Sequence, residues 1–242
     1  MKRLHTYAQH FLRSPRLVAE LIGHSNIRKN DTVYDLGAGS GVIASVLARR
    51  CKQVIAVEIE PQALKQLQKN VGDIPNIQIL SKSILNITPP STTYKIFSNI
   101  PFSISADVVR HFVFAEYPPK AMYLIAQKQF ARKLVPGDDH FTSALGAQLY
   151  PFFTARIRKP LRKTDFTPPP AVDTVLLELK VRDTSLIDHT ETGAYCAWIE
   201  QCFHDVSYFR RQPLASANIS AEQIPSRLNA DDWVHLWRTL VQ

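Results

Sequence analysis

A short run after a β-rich segment combines an amide, a proline and an aromatic ring. Residues 98–105 read SNIPFSIS, directly after the strand-like run YKIF. Pro101 fixes its own φ and pushes Ile100 into an extended conformation, so the turn projects backbone carbonyls outward instead of continuing as a helix. With Asn99 at one end and Phe102 at the other, this shelf suits a flat ring that carries an amino group. A strand-terminating turn with a half-buried Phe102 explains the same residues.

A second group of candidate residues is the glycine-rich run within VYDLGAGSGVIASVLARR. A glycine turn between a strand and a helix lets a ligand approach bare backbone, so Gly37, Ala38 and Gly39 are predicted to bind a nucleoside cofactor. Glu58 follows at the end of the next strand, where its carboxylate can accept hydrogen bonds from both ribose hydroxyls. The neighbouring Ile59 is included among the cofactor-binding candidates.

Two cofactors compete for this loop. Val42 stands where the third glycine of a dinucleotide fingerprint is expected, which weakens the nicotinamide interpretation. Asp35 before the glycines and Glu58 after them fit S-adenosylmethionine, a cofactor with an amino-acid tail and no pyrophosphate. A tight strand-to-helix turn without any ligand remains an alternative.

The overall charge indicates a polyanionic partner. The net charge is +8 at pH 7 and the pI is about 9.5, so the protein generates a long-range field that attracts nucleic acid. A solvated basic face is the other explanation of such clusters. The candidate RNA-binding residues are Arg132, Lys133, Arg156, Arg158, Lys159, Arg162 and Lys163.

Bulk composition narrows the class of protein further. The 242 residues are 45% hydrophobic, and the three cysteines form no CxxC pair. An odd number of scattered cysteines predicts neither a disulfide framework nor a zinc site and fits a reducing cytoplasm. The sequence has no apolar run of about 18 residues, and its start is too polar for a signal peptide. We expect a soluble, unprocessed cytoplasmic monomer that needs no metal.

The pattern of elements predicts an α/β fold. From about residue 31, short β-rich runs such as TVYDL and AMYLIAQ alternate with helical patterns, which argues for a parallel sheet covered on both faces. Pro61 suits the first position of the second of these helices. The later runs PFFTARIRKPL and TVLLELKV predict two longer antiparallel strands, which gives about seven strands in all. After Asp183 the strand signal stops. The sequence therefore predicts a main domain at 1–183 and a small helical C-terminal domain at 184–242.

Three separated motifs occur in the order and spacing of one family. AQHFL at 8–12, DLGAGSG at 35–41 and SNIPFSIS at 98–105, together with FTPPPAVDTVLLEL at 166–179, resemble the adenine-N6 ribosomal RNA methyltransferases. That family includes the macrolide-resistance (Erm) enzymes and the small-subunit adenosine dimethyltransferases. The resemblance covers roughly residues 5–182 and implies a Rossmann-like methyltransferase fold that binds S-adenosylmethionine.

The resemblance also implies roles for the shelf residues. The Asn99 side-chain oxygen and the Ile100 carbonyl would accept the two N6 hydrogens of a target adenine and align the nitrogen for in-line attack. Phe102 would stack on the flipped base, and Phe166 resembles the second aromatic that closes over it. Both phenylalanines also fit as plain core residues.

The N-terminal motif and one departure complete the predicted cofactor site. Gln9, His10 and Leu12 would bound the methionine end of the cofactor, although His10 also fits a satisfied surface histidine. Where the family usually has an Asp that accepts from the cofactor adenine amine, this chain has Ser83. A hydroxyl still accepts one hydrogen bond, but it is neutral and shorter, which lowers the expected cofactor affinity by about 1 kcal/mol.

Four functions remain after these observations. The first is an RNA adenine-N6 methyltransferase that acts on 23S rRNA, as in the resistance enzymes. The sequence NIPFSIS and the short C-terminal helical region favour this function. The second is the same reaction on 16S rRNA. The third is a non-catalytic RNA-binding assembly factor of the same fold, which the weakened contact at Ser83 would favour. A nicotinamide oxidoreductase is disfavoured by Val42 and by the lack of a Tyr-x-x-x-Lys pair.

Overall fold

The computed structural model describes residues 11–12, 14–136 and 143–241. The strands in these ranges are β1 (Phe11–Leu12), β2 (Thr32–Leu36), β3 (Gln53–Glu58), β4 (Ile77–Ser81), β5 (Lys95–Ser98), β6 (Ala121–Gln127), β7 (Phe153–Leu161), β8 (Phe166–Thr167) and β9 (Thr174–Val181). The helices are α1 (Pro15–Gly23), α2 (Val42–Leu47), α3 (Pro61–Val71), α4 (Ser105–Val113), α5 (Lys128–Leu134), α6 (Ala144–Leu149), α7 (Thr192–His204), α8 (Val206–Arg210) and α9 (Ala230–Val241).

A seven-stranded sheet is the central element, with strand order β4-β3-β2-β5-β6-β9-β7. The five strands from β4 to β6 run parallel to their neighbours, as the alternation of strands and helices predicts. β1 and β8 form a separate antiparallel pair. The predicted α/β fold with a sheet of about seven strands is confirmed.

The inner strands are continuous apolar runs that are buried along almost their whole length. β2 reads TVYDL and β6 reads AMYLIAQ, and each has one residue that is not fully buried. Such runs are typical of parallel strands covered on both faces. One hydrophobic cluster joins the sheet to Val18 and Leu21 of α1 and to Ile43 and Leu47 of α2. These contacts hold the carboxyl ends of β2, β3 and β5 in fixed positions.

Helix α3 begins at Pro61, where the sequence predicts it, because proline suits the first turn of a helix. The Glu60 carboxylate caps this helix and accepts hydrogen bonds from the N–H groups of Gln62 at 3.0 Å and Ala63 at 2.6 Å. The cap fixes the path of the chain directly after β3. It therefore stabilises the first turn of α3.

The chain forms two compact units. Among the described residues, the first unit contains those up to Lys128 together with Ile157–Glu178, and the second contains Gln129–Arg156 and the residues from Leu179 onward. The predicted boundary after residue 183 differs from this division, because it left 129–156 with the N-terminal domain. The helical C-terminal region itself is present, as α7, α8 and α9.

Contacts within the second unit explain why it includes α6. The Gln148 side chain donates to the carbonyl of Cys196 in α7 at 2.9 Å, and the Tyr195 hydroxyl donates to the carbonyl of Ala147 at 3.0 Å. Both links join residues about 48 positions apart in the sequence. Such long-range side-chain bonds carry no local sequence signal. Within the described ranges, no helix is long and apolar enough to cross a membrane.

Candidate active site

The glycine loop connects β2 to α2. Gly37, Gly39 and Gly41 have φ values of 72°, 55° and 89°, in the left-handed region that favours glycine. A Cβ at Gly41 would lie 2.8 Å from Cδ1 of Leu67 and 3.0 Å from Cγ1 of Val71 in α3, so any other residue there would have to displace these side chains. The loop thus places only small residues, glycine, alanine and serine, at the carboxyl edge of the sheet.

Glu58, the last residue of β3, holds the glycine loop in place through its side chain. Its Oε2 accepts a hydrogen bond from Gly39 N–H at 2.8 Å, and its Oε1 accepts from the N–H groups of Ile59 and Glu60, both at 2.8 Å. A carboxylate offers about four acceptor positions, so these bonds leave about one for a ligand. Glu58 therefore has a role in holding the loop that the sequence did not indicate, and its predicted contact with ribose stays a prediction.

Asp35 is a buried acid beside the glycine loop. It is fully buried, and among the described residues neither of its carboxyl oxygens has a hydrogen-bond partner of normal geometry. Burial, together with the nearby Glu58 carboxylate, raises the pKa of Asp35 to about 8, although the Ala44 backbone N–H offsets part of the rise. A bound cation would favour the ionised form of such a group. The amino-acid end of S-adenosylmethionine carries such a positive charge, so this residue fits that cofactor.

Three parts of the predicted site meet at Gly37. A Cβ on this glycine would lie 3.6 Å from Cδ1 of Ile84 and 3.8 Å from Cδ of Pro101. Ile84 directly follows Ser83 and belongs to residues 83–87, which we call the Ser83 segment. Pro101 belongs to the predicted shelf. The cofactor loop, the Ser83 segment and the shelf are therefore adjacent, although they lie far apart in the sequence.

The backbone of the shelf is extended at its proline. Pro101 has φ −57° and ψ 129°, and a 3₁₀ turn follows at Phe102–Ile104. Ile100 is buried, whereas Asn99 and Phe102 are half-buried. An amide and an aromatic ring thus remain partly accessible on either side of a buried anchor.

The Ser83 segment is fixed at its far end by α4. Ser83 is half-buried and its carbonyl accepts from the N–H of Asn86 at 3.0 Å. Nε2 of His111 in α4 hydrogen-bonds to the Ile87 carbonyl at 2.7 Å. Ile59 lies 61% exposed after Glu58, which leaves an apolar surface that a nucleoside base can cover.

The N-terminal candidates are only partly described. Gln9 and His10 lie outside the described residues. Leu12 is buried in the core cluster, and its strand register places it opposite Phe166. Phe166 is 0% exposed and belongs to the same cluster. Of the two roles that the sequence allowed for Phe166, the structure shows the core role. Stacking on a base would require the Phe166 ring to become exposed.

A family model described as ribosomal RNA adenine dimethylase matches residues 2–217. The chain belongs to this family. The match confirms the resemblance inferred from the three motifs. It covers the glycine loop, Glu58, Ser83 and the shelf, so the adjacency at Gly37 joins residues that all lie within the family's own region.

Individual relatives of the family come from both branches. An rRNA adenine N-6-methyltransferase of Limosilactobacillus reuteri is 29% identical over 92% of this chain and 94% of its own length. One of the same name from Saccharopolyspora erythraea is 26% identical over 98% of this chain, which spans 65% of that relative. A probable ribosomal RNA small subunit methyltransferase A of Methanosarcina acetivorans is 32% identical over 73% of this chain and 65% of its length.

Solved structures agree with the observed fold. The crystal structure of the 23S rRNA methyltransferase ErmE has a TM-score of 0.82 at 25% identity, over 96% of this chain and 100% of that one. A dimethyladenosine transferase from Plasmodium falciparum has a TM-score of 0.76 at 19% identity, over 95% of this chain and 97% of that one. The Rossmann-like methyltransferase sheet is thus confirmed by likeness as well as by topology.

The candidate RNA-binding residues of this family member divide between the two compact units. Arg132, Lys133 and Arg156 are exposed residues of the second unit. In the first unit, Arg158 lies 3.9 Å from the Glu178 carboxylate, Lys159 pairs with Glu20, and Lys163 donates to the Ala171 carbonyl at 2.7 Å. Lys159 and Glu20 are both partly exposed, so their ion pair is weak and leaves Lys159 available to phosphates, whereas the Glu178 carboxylate beside Arg158 is mostly buried.

Sequence reasoning missed three groups that hold the site together. The Asn70 side chain in α3 donates to the carbonyl of Ser40 in the glycine loop at 2.8 Å. Ile84 packs beside Gly37, and Ser98 joins β5 to β2 through its side chain. None of these residues has a chemically distinctive type. Only Ser98 lay within a motif that the sequence singled out.

Ser83→Asp is expected to strengthen S-adenosylmethionine binding by about threefold to tenfold, because a carboxylate accepts a stronger hydrogen bond from an adenine amine than a hydroxyl does. Titration calorimetry on both proteins measures the change in Kd. Ser91→Asp, at an exposed position in the loop before β5, controls for added negative charge and should leave Kd unchanged. An equal effect of both substitutions would contradict the assigned position of Ser83.

Proposed function

We propose that this protein transfers a methyl group from S-adenosylmethionine to N6 of an unpaired adenine in 23S rRNA. The adjacency at Gly37 is the observation that carries the proposal. A Cβ there would lie within 3.8 Å of both Ile84 and Pro101, so the cofactor loop and the shelf lie side by side. Membership of the ribosomal RNA adenine dimethylase family supports the same reaction.

The cofactor site is proposed to consist of the glycine loop, Glu58, Ile59, the Ser83 segment and Asp35. When bound, S-adenosylmethionine supplies an electrophilic methyl group. Gly37, Ala38 and Gly39 then offer a loop without bulky side chains to the cofactor, and the exposed Ile59 side chain covers one face of the adenine ring. Asp35 lies buried directly before this loop, and the ammonium group of the amino-acid end would favour its ionised form.

The shelf is proposed to activate the target amine. The N6 amine is a poor nucleophile because its lone pair is delocalised into the purine ring. Asn99 Oδ1 and the Ile100 carbonyl accept its two hydrogens, which directs the lone pair toward the methyl group. Phe102 stacks on the flipped base. No general base is needed before transfer, because the proton leaves an already cationic product.

The choice of 23S rRNA rests on the resistance branch of the family. The structure of a 23S rRNA methyltransferase has a TM-score of 0.82 to this chain, and the motif reads NIPFSIS as in the resistance enzymes. Added methyl bulk in the macrolide-binding part of that RNA would obstruct drugs, so resistance is the proposed consequence. A 16S target remains a second candidate, which the Methanosarcina acetivorans relative favours. We place the reaction in the cytoplasm and assign it to a monomer.

The proposal is tested with purified protein, methyl-labelled S-adenosylmethionine and protein-free rRNA. We expect label in N6-methyladenine of 23S rRNA after nuclease digestion, with less transfer to assembled ribosomes, because flipping a base is cheaper in open RNA. Cofactor binding without transfer to any RNA would favour the non-catalytic assembly factor. Transfer to 16S rRNA alone would favour the second candidate.

Charge reversal of Arg156, Arg158, Lys159, Arg162 and Lys163 is expected to weaken RNA binding and to flatten its dependence on salt. For every phosphate that is no longer neutralised, the slope of log K against log salt should fall by about one unit. Filter binding at several salt concentrations measures the slope. Reversal of Arg49 and Arg50, exposed basic residues just after α2, is the control. An unchanged slope would return the five residues to the role of a solvated face.

A further inference from the structure

Strands β2 and β5 are joined at their carboxyl ends by a side chain instead of by the backbone. Their backbone register consists of the pairs Val33↔Lys95 and Tyr34↔Ile96. Two residues further along, the Ser98 hydroxyl accepts a hydrogen bond from Leu36 N–H at 3.1 Å and donates one to the Leu36 carbonyl. Ser98 is fully buried, so no solvent competes for these bonds.

This link lies between the two parts of the proposed active site. Leu36 directly precedes Gly37 of the cofactor loop, and Ser98 directly precedes Asn99 of the shelf. On their outer sides the two strands have ordinary backbone partners, since Leu36 pairs with Val57 of β3 and Ser98 pairs with Leu124 of β6. The hydroxyl is therefore the bridge across the gap where the two loops diverge.

We propose that Ser98 is a positioning residue that sets the separation between the cofactor loop and the adenine shelf. This inference rests on the proposed methyl transfer. In-line attack requires the amine and the methyl carbon to be about 3–3.5 Å apart, and a misplacement of about 1 Å can lower a rate about a hundredfold. Cofactor binding depends on the glycine loop alone and is less sensitive to the position of the shelf.

A purely structural role for this hydroxyl predicts a different result. In that case its removal would lower stability, because the two Leu36 backbone groups would be left without their partner, but the rate per folded molecule would not change. Rate and affinity therefore distinguish positioning from support.

The test compares Ser98→Ala with the wild-type chain. The measurements are thermal unfolding, S-adenosylmethionine Kd by calorimetry, and the single-turnover rate of methyl transfer to protein-free rRNA at saturating concentrations. We expect Kd to change by less than about threefold and the rate per folded molecule to fall at least about tenfold.

Ser98→Cys is the second variant, because a thiol keeps a weak donor and acceptor but makes longer bonds. Its rate should lie between those of the alanine variant and the wild type, and it carries the comparison if Ser98→Ala does not fold. Ser25→Ala is the matched control, since the Ser25 hydroxyl also donates to one backbone carbonyl, that of Ile22, and accepts from one backbone N–H, that of Ile27, at a turn outside the proposed site. That control should keep the wild-type rate.

Two results would overturn the inference. One is a folded Ser98 variant with the wild-type rate, and the other is a loss of rate matched by an equal loss of cofactor affinity. Failure of the wild-type chain to methylate any rRNA would instead overturn the proposed function, and this inference with it.

Discussion

Asn99→Ala is expected to lower the rate of methyl transfer at least about a hundredfold while leaving the Kd for S-adenosylmethionine nearly unchanged. The reason is that the amide oxygen accepts from an amine whose charge develops during transfer, so its contribution is largest in the transition state. Asn99 follows β5 and is half-buried, which places the side chain at the edge of the sheet beside the cofactor loop.

Single-turnover kinetics with saturating RNA measures the effect of Asn99→Ala, and calorimetry measures cofactor binding. Asn30→Ala provides the control, because Asn30 is an exposed residue in a turn before β2. Full activity of the Asn99 variant would remove this residue from the mechanism. A parallel loss of cofactor affinity would mean that the amide holds the cofactor instead of the target base.

Glu58→Gln is expected to weaken S-adenosylmethionine binding by at least about tenfold, which corresponds to about 1.4 kcal/mol. The Glu58 carboxylate accepts three backbone N–H groups, from Gly39, Ile59 and Glu60. In glutamine an NH₂ group replaces one of the two carboxylate oxygens. This NH₂ group faces at least one of the three N–H donors and cannot accept a hydrogen bond from it. The hydrogen bonds that hold the glycine loop to the end of β3 are then weakened. The side chain also offers fewer acceptor positions to the ribose hydroxyls.

Glu60→Gln is the matched control for Glu58→Gln. The Glu60 side chain accepts only from the first turn of α3, at Gln62 and Ala63, so its replacement should lower thermal stability slightly without changing cofactor affinity. Calorimetry on both variants compares their Kd values. Equal affinities of the Glu58 variant and the wild type would show that neither loop closure nor ribose binding depends on the charge.

The residues that carry chemistry were predictable because their types are distinctive. Glycines with positive φ, an acid about 20 residues later and an Asn-x-Pro-Phe turn each have a local physical reason, and their joint order indicates one family. The strands were predictable for a similar reason. β2 and β6 are continuous apolar runs, and the structure gives them the residues TVYDL and AMYLIAQ that the sequence indicated.

Helix α1 was missed although its signal is local. It begins at Pro15 and buries Val18, Leu21 and Ile22, a spacing typical of an amphipathic helix, but the α/β alternation was recognised only from about residue 31. Features that depend on tertiary contacts, in contrast, were not predictable. The burial of Phe166 depends on its pairing with Leu12 across more than 150 residues. No local pattern distinguishes a ring that covers a base from one that fills a core.

The central claim is methylation of an adenine in 23S rRNA, and mapping N6-methyladenine in a living cell tests it most directly. The chain and its Asn99→Ala variant would be expressed in a macrolide-susceptible bacterium, and both ribosomal RNAs would be mapped alongside drug tolerance. We expect one newly methylated adenine in the macrolide-binding part of 23S rRNA and raised tolerance with the wild-type chain only. Methylation confined to the 3′-terminal hairpin of 16S rRNA, with unchanged tolerance, would contradict the account.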